Sequence, residues 1–97
     1  MQRRSNEQSL GDVIKEFLKA YQMEDRITEV KIHSMWQQIM GDHIHQYTEK
    51  LYYKDKLLIV YLRSAPLREE LSRAKTKIAG MINKEMKKDV VREVVFR

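Results

Sequence analysis

Six consecutive apolar residues, Leu57–Leu62, constrain the fold of this 97-residue chain more than any other part of the sequence. A strand without polar side chains on either face is stable only where other elements exclude water from it. The run is also far shorter than the ~20 apolar residues that cross a bilayer. We therefore predict that it forms a central strand covered by helices, and we expect no membrane-spanning segment.

Two amphipathic helices are predicted on the N-terminal side of this strand. Between Leu10 and Tyr21 apolar residues recur at intervals of three and four, the period of a helix, and Ser9 is a suitable N-cap. A second helix is predicted to begin after Asp25, another good N-cap, and to end at Gly41.

The remaining elements complete a mixed fold. Ile44–Tyr53 is rich in aromatic and β-branched residues and predicts a strand that pairs with Leu57–Leu62 as a hairpin. Pro66–Lys88 has the pattern of one long amphipathic helix, and Val90–Phe96 has that of a last strand. The predicted fold is therefore α+β, in the order α-α-β-β-α-β, with a three-stranded sheet and helices packed mainly on one face.

The chain has the length of one domain, which we predict to span residues 9–97 after a flexible polar segment at residues 1–8. It contains no cysteine, which excludes disulfide bonds and thiolate metal sites. No stretch has the apolar block of a signal peptide, so we expect a cytoplasmic protein.

The positive charge is concentrated in the C-terminal third of the chain. Residues 63–97 contain ten Lys and Arg against five Asp and Glu, whereas residues 1–62 contain nine of each. At about 100° per residue, one face of the predicted helix Pro66–Lys88 carries the candidate nucleic-acid-binding residues Arg73, Lys77, Lys84 and Lys88. A cationic face with so few phosphate contacts predicts weak, salt-sensitive and largely sequence-independent binding.

Lys77 and Lys84 are expected to contribute most of this positive field, because neither has an acidic residue three or four positions away. Glu69 precedes Arg73 by four residues and is predicted to neutralise it. Gly80 lies between the two lysines, where its missing side chain permits either close approach of a nucleic-acid backbone or contact with a neighbouring loop. The alternative for the whole stripe is a solvated helix face without a partner.

Residues that could carry catalysis or bind a cofactor are sparse. His43 and His45 point the same way if their segment is extended, but two imidazoles without a third ligand fall short of a zinc site. The glycines are isolated, so no phosphate-binding loop is formed, and no serine has the glycine neighbours of a nucleophile. We therefore predict no enzyme activity, no cofactor, no metal and no small-molecule substrate.

The aromatic residues leave two interpretations open. Trp36 lies on the apolar side of the second predicted helix, which favours a core anchor over a base-stacking platform. Tyrosines at strand positions are ordinary sheet residues, but on an uncovered sheet face they could stack on single-stranded bases. The tyrosines in question are Tyr47, Tyr52, Tyr53 and Tyr61.

A series of spaced residues resembles one bacterial protein family. The series is Trp36-x4-Gly41, Thr48, Leu58-x-Val60-x-Leu62-x-Ser64-x-Pro66-Leu67, Glu70-Leu71, Ile82-Asn83 and Val94-x-Phe96-Arg97. In order and spacing it resembles the DciA-like proteins, which were formerly classed as a domain of unknown function. The resemblance covers about Leu10 to Arg97, so we expect the bare domain, without the extended basic segment that many relatives carry.

The resemblance implies a KH-like fold and a role in assisting the replicative helicase onto DNA at the start of replication, with DNA and the helicase as partners. Two departures concern details of that fold. Lys56 stands where relatives carry a glycine before the second strand, and no two glycines lie three apart, so the G-x-x-G clamp of KH domains is missing. The alternatives to a helicase-loading adaptor are a general RNA-binding module and a pure protein-interaction module.

Overall fold

The fold follows the predicted mixed architecture, with differences in where the helices begin and end. A computed structural model describes residues 9–97, so the segment predicted to be flexible, residues 1–8, lies outside the described residues. The elements in chain order are α1 (Leu10–Met40), α2 (Asp42–Tyr47), β1 (Thr48–Lys54), β2 (Leu57–Leu62), α3 (Ala65–Arg73), α4 (Lys75–Met86) and β3 (Glu93–Phe96). The α+β class and the three-stranded sheet are confirmed.

The apolar strand β2 is the central strand, as predicted. It pairs antiparallel with β1 and parallel with β3, and the helices α3 and α4 carry the chain between the two parallel strands. A two-residue turn joins β1 to β2, in which Asp55 and Lys56 have φ angles of 48° and 66°. Such a hairpin needs left-handed conformations at both turn positions, which these residues adopt here without a glycine.

The hydrophobic core lies on one face of this sheet. Strand side chains that point to this face are Leu51, Tyr53, Leu58, Val60, Leu62, Val94 and Phe96, and the helices cover them with Ile32, Trp36, Leu71, Ile78 and Ile82. Packing of the helices on one face is therefore confirmed. The prediction that helices also cover the second face of β2 is wrong, because Ile59 and Tyr61 lie outside this core on a face that the described helices leave open.

Two predicted N-terminal helices form one continuous helix of 31 residues. Gln22–Arg26 contains neither glycine nor proline, so nothing in the backbone chemistry interrupts the helix there. The Asp25 carboxylate, predicted to cap a second helix, instead accepts a hydrogen bond from the backbone N–H of Asp55 at 3.0 Å. The predicted N-cap at Ser9 is present, since its hydroxyl accepts from the N–H of Asp12 at 3.1 Å.

The predicted strand Ile44–Tyr53 begins later, because its first residues are helical in α2 and the strand starts at Thr48. Thr48 ends this short helix by donating its hydroxyl to the carbonyl of Ile44 at 2.7 Å. The same hydroxyl oxygen accepts a hydrogen bond from the indole N–H of Trp36 at 2.9 Å, which ties the end of α2 to α1. Trp36 is 1% exposed, so its predicted role as a core anchor agrees with its burial.

The predicted single helix Pro66–Lys88 is divided at Ala74, whose φ and ψ angles of −104° and 12° leave the helical range. Ser64 caps α3 by accepting from the N–H of Leu67 at 3.2 Å. The second half, α4, ends at Lys87 in a left-handed conformation. Nothing in the sequence around Ala74 signals the break, because its neighbours are ordinary helix formers.

The last strand begins at Glu93 rather than at Val90. The backbone groups of Val90 and Val91 are bonded to the side chain of Asn83 in α4 instead of to a neighbouring strand. The Asn83 amide accepts from the N–H groups of Val90 and Val91 at 2.9 and 2.8 Å and donates to the carbonyl of Val91 at 2.8 Å. The side chains of Val90 and Val91 are buried in the core below this clamp. Asn83 therefore fixes the loop that leads from α4 into the sheet.

The outer edge of β1 is occupied by α1. The Glu29 carboxylate accepts a hydrogen bond from the backbone N–H of Tyr53 at 2.9 Å. Asp25, four residues earlier on the same side of α1, makes the similar contact with the N–H of Asp55. The Tyr53 hydroxyl donates to the carbonyl of Val90 at 2.6 Å. Burial raises the pKa of this hydroxyl, and the Asp25 carboxylate raises it further. Polar contacts therefore hold α1 in register along the strand.

The N-terminal part of α1 extends beyond the rest of the domain, and with it the structure measures 62 × 25 × 20 Å along its principal axes. Residues 10–21, called the overhang below, carry an exposed apolar stripe on the side of the helix that packs on the core further along. The stripe consists of Leu10, Val13, Ile14, Phe17, Leu18 and Tyr21. Among residues 9–97, no helix combines the length and the apolar character of a membrane span.

Candidate nucleic-acid interface

Lys77 and Lys84 lie together on the outer face of α4, opposite the side on which Ile78 and Ile82 are buried. The two lysines are seven positions apart in the helix, which places them about 20° apart around the axis and about 10 Å apart along it. Both side chains are exposed, and neither forms an ion pair with any of residues 9–97. The predicted pair of uncompensated cations is therefore present.

Gly80 leaves the surface between these two lysines open. A Cβ built on this residue would meet no atom of residues 9–97 within 4 Å outside its own helix, so no loop of the described part of the chain lies against it. The interpretation that Gly80 accommodates such a loop is therefore excluded. Its missing side chain leaves the space above the helix backbone free for an incoming group.

Arg73 and Lys88 lie outside α4, and acidic groups near each of them reduce their positive field. Arg73 is in α3, before the break at Ala74, and its guanidinium forms an ion pair with the Glu69 carboxylate at 2.8 Å, as predicted. Both side chains of this pair are well exposed, and such pairs contribute only about 0–1 kcal/mol. Arg73 can therefore exchange Glu69 for a phosphate at little cost, although its field in the free protein is reduced.

Lys88 lies beyond the end of α4, where the left-handed residue Lys87 turns the chain away from the helix axis. It lines a shallow depression together with acidic residues from three parts of the chain, which are Glu24, Asp25, Asp55 and Asp89. Its positive charge is therefore placed in an acidic surrounding. The nucleic-acid-binding role of Lys77, Lys84, Lys88 and Arg73 stays a prediction.

The two candidate histidines are separated by the helical geometry of α2. His43 and His45 lie two positions apart, which on a helix turns their side chains about 200° from each other rather than to one side. His43 packs edge-on against the Tyr47 ring with 5.3 Å between ring centroids, while His45 lines a groove with His33. Within residues 9–97, no group of three or more potential ligands is arranged to hold a metal ion.

The open face of the sheet is a second candidate surface, and two of the four candidate tyrosines lie on it. Tyr53 points into the core, and Tyr47 packs against the Arg63 guanidinium at 5.6 Å from its ring centroid. Tyr52 and Tyr61 lie on the uncovered face, where Tyr52 is 40% exposed. The alternation in Lys50–Lys54 groups Tyr52 with the two lysines on one face of the strand, but it does not tell whether helices cover that face.

The fold and these surfaces define a small α+β domain that presents a cationic helix face, an open sheet face and an exposed apolar helix end. The family model described as "Dna[CI] antecedent, DciA" matches residues 9–96, so the chain belongs to the DciA family. The family is associated with helicase loading in DNA replication. No curated protein and no solved structure matches the chain, and the KH-like classification therefore stays a prediction.

Proposed function

We propose that this chain is a non-catalytic, DNA-binding adaptor that assists the replicative helicase in the bacterial cytoplasm. Family membership supports the connection to helicase loading. The observation that carries the DNA-binding part is the pair of exposed, unpaired ammonium groups of Lys77 and Lys84 above an unobstructed Gly80. A phosphate backbone that follows α4 meets both cations and no carboxylate between them.

The strength of this contact follows from the number of phosphates that it neutralises. Each neutralised phosphate on duplex DNA contributes about −0.9 to the slope of log affinity against log salt. Two lysines therefore give a slope of about −2, and recruitment of Arg73 from its exposed pair with Glu69 adds a third contact. Binding of this kind is weak and independent of sequence, which suits an adaptor that works at many positions on DNA.

Charge reversal at both lysines should abolish most of the DNA affinity. In the double variant Lys77→Glu/Lys84→Glu we expect the salt slope for duplex DNA to lose about 2 units and the duplex affinity at low salt to fall by at least tenfold, because attraction is replaced by repulsion. Fluorescence anisotropy with a labelled duplex and a labelled single strand, across a salt series, measures both quantities.

A control with the same change in net charge is Lys15→Glu/Lys19→Glu, which alters two exposed lysines of α1. It should retain most of the affinity if binding depends on the face of α4 rather than on total charge. Equal affinities and equal slopes for the wild type and the α4 variant would exclude this face. Competition between DNA and RNA of equal length separates the adaptor from the alternative of a general RNA-binding module.

We propose that the helicase contact lies on the overhang. Six large apolar side chains of residues 10–21 are exposed along one side of this helix, and contiguous exposed apolar surface is typical of protein-interaction sites. Because the same side of α1 packs on the core further along the helix, a partner here would extend an existing packing surface. This observation also favours the alternative of a pure protein-interaction module, which would lack the DNA affinity described above.

Polar substitution on the overhang should weaken capture of the purified replicative helicase from the native host. For Phe17→Ser/Leu18→Ser we expect at least a tenfold loss, because interface anchors cost about 1–2 kcal/mol or more each when truncated. Both residues are more than half exposed, so the fold should persist. The matched control is Met23→Ser/Ile27→Ser on the opposite side of α1, also more than half exposed. If the overhang variant and the control variant capture the helicase equally well, the helicase contact does not lie on the overhang.

A further inference from the structure

We propose that the open face of the sheet binds single-stranded nucleic acid, with bases stacked on Tyr52 and Tyr61. This inference deepens the proposed function, since it assigns a second surface and a strand preference to nucleic-acid binding. The face consists of three rows of paired residues across β1, β2 and β3. The rows are Lys54–Leu57–Glu93, Tyr52–Ile59–Val95 and Lys50–Tyr61–Arg97.

The third row is completed by the residue that follows β3. The N–H of Arg97 donates to the carbonyl of Val60 at 2.8 Å, and its carbonyl accepts from the N–H of Leu62 at 2.7 Å. In a parallel pair this pattern places Arg97 beside Tyr61 on the same face. The two tyrosines are diagonal neighbours on β1 and β2, a relation that separates side chains by about 7–8 Å.

The centre of this face is apolar, and its tyrosines are accessible. Ile59 in the middle row is 9% exposed, and it lies outside the core cluster on the other face of the sheet. Tyr61 and Val95 are half-buried, and Tyr52 is exposed. Flat apolar rings beside aliphatic side chains are suitable for base stacking, which is insensitive to sequence because every base has a π-face.

Positive side chains surround the rings at three corners of the grid. Lys50 and Lys54 flank Tyr52 along β1, and Arg97 lies across the sheet from Lys50. The Lys50 ammonium lies 5.7 Å from the centroid of the Tyr61 ring. A base that stacks on this ring displaces the ammonium, which then contacts the phosphate of the same nucleotide. Glu93 occupies the fourth corner, and its carboxylate repels phosphates from that end.

This combination favours a single strand over other occupants. Bases in a duplex are stacked on each other and cannot lie on a flat sheet, whereas unpaired bases can splay onto aromatic side chains. Three cations among nine positions complement a phosphate backbone, whereas an apolar protein partner would have to bury them at a cost in desolvation. The surface is also separate from the outer face of α4, which contacts phosphates and does not distinguish bases.

The test compares Tyr52→Ala/Tyr61→Ala with Tyr52→Phe/Tyr61→Phe, using short oligothymidylate, oligouridylate and an abasic oligomer of the same length. We expect the alanine pair to lose between about fivefold and a hundredfold in affinity per ring for both base-containing strands. The phenylalanine pair should bind as the wild type does. Duplex affinity should be unchanged in both, and the abasic oligomer should bind the wild type as weakly as oligothymidylate binds the alanine pair.

The outcomes separate this inference from the proposed function. If Lys77→Glu/Lys84→Glu weakens binding but the alanine pair binds single strands as the wild type does, the sheet face is excluded and the face of α4 stands. If the wild type binds abasic and base-containing strands equally, stacking is excluded. The single variant Tyr52→Ala alters an exposed side chain and keeps the fold, so its unchanged binding would overturn the inference even if the double variant unfolds.

Discussion

Replacement of Trp36 by alanine should lower the free energy of unfolding by about 3–5 kcal/mol. The indole is buried at the centre of the contact between α1 and the sheet, and its removal leaves a cavity that the surrounding helices cannot fill. It also removes the hydrogen bond to Thr48, whose hydroxyl in turn ends α2. For a domain of this size the loss is a large part of its whole stability.

Urea unfolding followed by circular dichroism measures this effect. Trp36→Phe is the matched variant, because it keeps most of the ring volume and loses the N–H donor to Thr48. We expect it to cost about 1–3 kcal/mol, between the wild type and the alanine variant. A loss below 1 kcal/mol for Trp36→Ala would show that the indole does not anchor the core.

Replacement of Asn83 by leucine should cost about 3 kcal/mol or more. The size of the side chain is nearly conserved, but three backbone groups of Val90 and Val91 lose their hydrogen-bond partners. An unsatisfied buried donor or acceptor costs about 1–3 kcal/mol. Because this clamp positions the chain just before β3, its loss should also loosen the parallel edge of the sheet.

Hydrogen exchange at the amides of Val90 and Val91 reports this local effect directly. In Asn83→Leu we expect both amides to exchange faster than in the wild type, by more than the change in global stability explains. Asn83→Asp is the control, since a carboxylate still accepts from both N–H groups but cannot donate to the carbonyl of Val91. Equal protection in all three proteins would show that the clamp is dispensable.

The sheet and its central strand could be predicted from the sequence because their signals are local. Leu57–Leu62 is apolar throughout, and its length and composition favour a strand. The boundary between the first two predicted helices was wrong because Asp25 is an N-cap residue by type, while its actual partner is a backbone N–H 30 residues away at Asp55. A long-range contact of this kind leaves no mark in the sequence next to it.

The candidate site was predictable to the extent that it lies on one regular helix. Lys77 and Lys84 are on α4, so helical periodicity places them correctly. Arg73 and Lys88 lie beyond the two ends of this helix, past the break at Ala74 and the left-handed Lys87, so the periodicity of α4 does not fix where their side chains point. The open sheet face could not be assigned beforehand, because sequence alternation identifies two faces but not which of them the helices cover.

The contacts of α1 with the outer strand have a consequence for self-association. Unpaired strand edges act as templates onto which other chains can add, and this leads to aggregation. Here the carboxylates of Asp25 and Glu29 already occupy the N–H groups of Asp55 in the turn and of Tyr53 in β1, which hinders such growth at the C-terminal end of β1. The opposite border is β3, only four residues long. Molecules crowded side by side on one nucleic-acid strand should therefore remain separate folded units rather than merge into a common sheet.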